Sequence, residues 1–101
     1  MAKILTYEDQ TPRGTFSMIQ LDDGKKILIS VTQTEIAIFK IGLMRAPTGT
    51  IWKQDVFEFM DVLYPQGPLS DNFNESVLKL TVEMVSECKS LAELKRTFSR
   101  Y

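Results

Sequence analysis

Residues 15–43 read TFSMIQLDDGKKILISVTQTEIAIFKIGL, and this stretch decides the fold. Apolar residues alternate with other residues in three runs, and short polar segments separate the runs. This pattern is typical of consecutive antiparallel strands. The strongest turn signal is Asp-Asp-Gly-Lys at residues 22–25, between the first two runs. The stretch therefore predicts a β-meander at the centre of the fold.

Loop length determines which residues of neighbouring strands lie opposite each other. If Asp23 and Gly24 form a two-residue type I′ turn, Met18 pairs with Ile29. A second two-residue loop at residues 33–34 then places Ile38 beside Ile29. We expect these pairings to align Met18, Ile29 and Ile38 in one apolar row that faces the core.

The same register predicts a second apolar row on the other face of the sheet, formed by Ile19, Leu28 and Phe39. Antiparallel sheets usually have one solvated face, so apolar rows on both faces predict that each face is covered. The helices that follow can cover one of them. We expect a partner subunit to cover the other, with Ile19, Leu28 and Phe39 as the interface.

The rest of the chain predicts two further strands and a helical second half. Lys3–Asp9 is expected to be an edge strand and Thr50–Lys53 a short fifth strand. Apolar spacing of three and four residues predicts a short helix capped by Asp55, and a longer helical segment follows from Asn74. A capping-box spacing at Ser90 predicts a break there and a separate last helix. The fold class is therefore α+β, with an antiparallel meander of four to five strands and helices packed mainly on one face.

Length and composition fit one soluble domain over residues 1–101. The chain has 44% hydrophobic and 25% charged residues, ordinary values for a globular protein. A formal net charge of -1 provides no basic field for phosphates, so we expect no nucleic-acid partner. No apolar run reaches the length of a signal peptide or a membrane span, and we expect a cytoplasmic protein without membrane contact.

Residue types that carry chemistry are scarce. The chain has no histidine and one cysteine, Cys88, so the usual general base and the usual transition-metal ligand sets are missing. The five glycines are scattered singly and form no phosphate-binding loop. We therefore expect neither a cofactor nor a metal, and catalytic residues are not assigned. An enzyme is the least favoured class of function.

A small-ligand site is the alternative that the residues leave open. Arg45 and Lys53 flank Pro-Thr-Gly-Thr at residues 47–50, where cations, hydroxyl groups and an accessible amide could hold an anion. Trp52 and Tyr64 would lie near the mouth of a pocket between sheet and helices. A solvated hairpin loop explains the same residues more simply.

The leading hypothesis is a small non-catalytic protein-interaction domain, as a homodimer or with another protein partner. It depends on the surplus of apolar surface and on the missing catalytic residue types. The alternative is a domain that binds an apolar or anionic small ligand. A closed cavity with converging polar groups would favour the ligand, and a filled interior would favour the partner.

Overall fold

The structure, a computed structural model, describes residues 3–11, 14–42, 47–63 and 73–101. The described residues form a meander of antiparallel strands followed by helices, which confirms the α+β fold class. In chain order the elements are β1 (Lys3–Thr11), β2 (Gly14–Gln20), β3 (Lys26–Val31), β4 (Glu35–Ile41), β5 (Pro47–Asp55), α1 (Val56–Leu63), α2 (Phe73–Ser86) and α3 (Leu91–Phe98).

The strands lie in the sheet in the order in which they occur in the chain, β1-β2-β3-β4-β5. Each strand therefore pairs with its neighbour in sequence, as expected for hairpins joined end to end. β5 starts at Pro47 and is longer than the predicted segment 50–53, because its first residues continue the pairing with β4 as far as Ile41.

The predicted register of the first hairpin is wrong by one residue. Met18 pairs with Leu28, not with Ile29. The loop holds three residues, since the Leu21 N–H donates to the Lys25 carbonyl at 2.9 Å and the Gly24 N–H donates to the Leu21 carbonyl at 2.9 Å. Gly24 takes the left-handed conformation at φ 85°, as the last residue of a three-residue hairpin loop commonly does.

The second hairpin has the predicted register, with Ile38 opposite Ile29. The Thr32 N–H donates to the Glu35 carbonyl at 2.9 Å, and the Thr32 hydroxyl accepts the Glu35 N–H at 3.0 Å. These bonds close the predicted two-residue loop. Because only the first hairpin is shifted, Ser17 takes the place beside Ile29 that was predicted for Met18.

One face of the sheet carries the core, and we call it the helix-covered face. Its central positions Ile27, Ile29 and Ile38 are fully buried. Burial of an isoleucine side chain contributes about 1.5–3 kcal/mol, so this face dominates the stability of the fold. The helices add further side chains to the same cluster: Val56, Phe59, Val77, Leu78, Val82, Val85, Leu94 and Phe98.

Two polar residues set the helix boundaries where the sequence predicts them. Asp55 Oδ1 accepts the N–H groups of Phe57 at 2.9 Å and Glu58 at 3.1 Å, so Asp55 caps α1. The Ser90 hydroxyl accepts the Glu93 N–H at 3.2 Å and caps α3. The predicted break near Ser90 is thereby confirmed, and α2 ends before it at Ser86.

A bulge in β5 directs two large side chains toward the helices. Trp52 pairs with Ile38 while Thr50 pairs with Phe39, which leaves Ile51 as the extra residue. Both Ile51 and Trp52 pack against the core cluster. The Trp52 ring lies 5.2 Å from Phe59 and 4.9 Å from Phe98, and Tyr101 closes the group at 5.5 Å from Phe59. Contacts among these rings pack α1, α3 and Tyr101 against β5.

Candidate functional site

The sheet face opposite the helices is the candidate functional site, and we call it the outer face. Met18, Leu28 and Phe39 lie side by side across β2, β3 and β4. The row next to it consists of Phe16, Ser30, Ala37 and Lys53. Alternation along β2 to β5 adds further residues to this face, among them Gln20, Lys26, Glu35, Ile41, Thr50 and Asp55.

Four large apolar side chains of the outer face are neither buried nor fully exposed. Phe16, Met18, Leu28 and Phe39 are each half-buried. None belongs to the core cluster or packs against it as a partly buried neighbour. Ala37, in the row next to Met18, Leu28 and Phe39, is only 2% exposed. The result is a continuous apolar surface outside the core.

Ile19, predicted to share this row, does not lie on the outer face. It pairs with Ile27, is fully buried and belongs to the core cluster. The three-residue loop shifts every β2 side chain to the face opposite the predicted one, so Met18 replaces Ile19 beside Leu28. Leu28 and Phe39 remain neighbours as predicted.

The sheet edges are poor sites for strand addition. β5 begins with Pro47, and its pairing with β4 has two register shifts. β1 at the other edge also has two shifts in its pairing with β2. Proline and bulges on an edge strand discourage pairing with another chain. An interaction surface on this sheet is therefore better placed on the outer face than along an edge.

The residues of the ligand alternative do not converge in the described part of the chain. Trp52 lies on the helix-covered face, where it contacts Phe59 and Phe98, whereas Lys53 lies on the outer face beside Ala37. Arg45 and Tyr64 lie outside the described residues. Trp52 therefore has a packing role, and a shared site for all four residues stays a prediction.

Asp23 makes a contact outside the turn in which the sequence pattern places it. Its Oδ1 accepts the Lys25 N–H at 3.0 Å, and its Oδ2 accepts the Leu91 N–H at 3.0 Å. The hydrogen bonds from Lys25 and then Leu91 lower the pKa of Asp23 below its ordinary value. The carboxylate thus joins the first hairpin loop to the start of α3. Only the capping preference of aspartate could have suggested this contact.

Cys88 has the environment of a structural thiol. It is 3% exposed, and its Sγ lies 3.6 Å from the Met84 carbonyl and 3.8 Å from the Thr97 hydroxyl. Burial raises the pKa of the thiol, which reduces the fraction of reactive thiolate. Within the described residues, histidine, cysteine, aspartate and glutamate form no group of three that could hold a metal ion.

Three comparisons with known proteins give no relative for this chain. No protein-family model, no curated protein and no solved structure matches it. Among the described helices, none is long and apolar enough to cross a membrane.

Proposed function

We propose that this protein is a small non-catalytic interaction domain that forms a homodimer through its outer face. The observation that carries the proposal is the half-buried row Met18, Leu28 and Phe39, which the core cluster does not include. Apolar surface of this kind gains free energy when a second surface removes it from water. A two-fold contact lets one apolar face cover an identical one.

The position of the helices supports a second copy as the cover. α2 packs against β2 and β3, while α1 and α3 pack against β5, and their buried side chains join the core cluster. These helices pack on the helix-covered face. The proposal includes a cytoplasmic location.

Sedimentation analysis of the parent and of Phe39→Glu tests the proposal. We expect the parent to sediment as a dimer at micromolar concentration. Two glutamates near the two-fold axis would lose hydration and repel each other, so Phe39→Glu should weaken association by about 100-fold or more. Circular dichroism should show that the variant remains folded. Phe39→Thr, a milder change with high strand propensity, serves if the glutamate prevents folding.

Phe57→Glu is the matched control. Phe57 is 57% exposed on α1 and receives the same substitution away from the outer face. We expect this variant to remain dimeric. A parent that is monomeric at about 100 μM, well above the Kd of a stable dimer, contradicts the proposal. A dimer that Phe57→Glu dissociates and Phe39→Glu does not would move the interface to α1.

A further inference from the structure

We propose that the two copies pack with their strands in opposite directions, so that Glu35 of one copy meets Lys26 of the other. This inference rests on the proposed homodimer and adds its orientation. Its basis is the distribution of charge along the outer face. The two ends of this face differ in sign.

One end of the outer face is acidic. Glu35, the first residue of β4, pairs directly with Asp55, the last residue of β5. Like charges on directly opposite strand residues are unfavourable, and a nearby cation relieves them. Asp55 already caps α1 through its Oδ1. Lys53 lies one row further along, diagonal to Glu35, and can balance only one of the two carboxylates, so this end keeps an excess of negative charge.

The other end of the outer face is basic. Lys26, the first residue of β3, is exposed and pairs with Gln20. In the described part of the chain, the side chains of Lys26 and Glu35 have neither a hydrogen bond nor an ion pair. Six residues of extended chain separate Lys26 from the row of Glu35, about 20 Å at 3.4 Å per residue.

When the strands of the two sheets are aligned, a two-fold axis in the plane between the sheets leaves two orientations for a face-to-face dimer. An axis parallel to the strands places the acidic end on the acidic end and Lys26 on Lys26. An axis perpendicular to the strands exchanges the ends and places Glu35 near Lys26 of the second copy, at both ends of the contact. Charge complementarity selects the second orientation.

Neutralisation of Glu35 tests the orientation through the sign of its effect. In the proposed dimer, Glu35→Gln removes two attractions and should weaken association by about two- to tenfold, the range expected for exposed ion pairs. Lys26→Gln should have an effect of the same size and direction. In the alternative orientation both changes remove repulsion, and stronger association of either variant would overturn the proposal.

Crosslinking gives an independent answer. Facing sheets lie about 10 Å apart, so a short bis-maleimide can join two cysteines at facing positions. We expect a crosslinked dimer when Glu35→Cys and Lys26→Cys proteins are mixed, and none when either is treated alone. The parent, whose single cysteine is buried, is the control for Cys88.

The remaining outcomes distinguish this inference from the proposed homodimer. Crosslinks within each single variant would overturn the orientation and leave the homodimer intact. No crosslink in any sample, with the dimer verified by sedimentation, would overturn the orientation and place the contact elsewhere. A parent that does not dimerise contradicts the proposed function itself.

Discussion

Both faces of this sheet carry apolar side chains, but the helices cover only one of the two faces. On β3, Ile29 is fully buried against the helices, whereas its neighbour Leu28 is half-buried on the outer face. Successive side chains of a strand point to opposite faces, so consecutive apolar residues such as Leu28 and Ile29 place apolar side chains on both. The helices, whose buried apolar side chains all join one cluster, make only one of them a core. Whether an apolar side chain of this sheet is fully buried therefore depends more on whether the helices cover its face than on its residue type.

The largest expected effect compares neighbours on opposite faces. Ile29→Ala should lower the free energy of unfolding by about 2–5 kcal/mol, because it leaves a cavity in a filled core. Leu28→Ala removes as many carbon atoms from the half-buried face and should cost about 1 kcal/mol. Chemical denaturation at a protein concentration where the chain is monomeric measures both. Equal losses would mean that the outer face is also part of a core.

A second comparison uses Trp52 and Lys53, which are adjacent in β5 and lie on opposite faces. Trp52→Ala removes the ring that joins Phe59 to Phe98 and should cost about 2–3 kcal/mol, somewhat less than for a fully buried tryptophan. Lys53→Ala should change stability by less than about 0.5 kcal/mol. Thermal denaturation of the two variants is the measurement. A tolerated Trp52→Ala would remove the packing role and strengthen the ligand hypothesis.

Local signals in the sequence predicted local structure well. The sequence predicts Asp55 and Ser90 as caps because an N-cap bonds only to residues within its own first turn. The two-residue loop at residues 33–34 was also predicted, and with it the Ile29–Ile38 pair. In each case the deciding contacts lie within a few residues or follow from strand alternation.

The first hairpin shows where this reasoning fails. Asp-Asp-Gly fits both a two-residue and a three-residue loop, since each has a place for glycine at positive φ. The two-residue interpretation places Phe16 and Met18 in line with the apolar residues that the second loop aligns on β3 and β4. The structure instead buries Thr15 and Ser17 on the helix-covered face. One residue of loop length thereby moved Ile19 out of the predicted interface.

The contact between Asp23 and Leu91 could not be predicted, since 68 positions separate the two residues in sequence. It depends on where α3 begins relative to the first hairpin, which only the packed helix layer determines. Pairing across one hairpin is a local property, and placement of a helix on a sheet is not.

The smallest expected effect concerns the hydrogen bond between the Leu91 N–H and the Asp23 carboxylate. This contact joins the helix layer to the first hairpin loop. The described residues of the outer face have no such contact with α3. Hydrogen bonds from Lys25 and Leu91 lower the pKa of Asp23 in the folded state below 3.8, its ordinary value. The charged form therefore stabilises the fold above that pH, and this contribution is lost as the pH falls through the folded-state pKa.

We expect Asp23→Asn to lower the denaturation midpoint at pH 7 and the difference from the parent to fade below about pH 3.8. Asp61→Asn, an exposed position on α1, controls for the loss of one negative charge. A difference that stays constant down to pH 2 would show that the Asp23 carboxylate does not hold α3 through its charge.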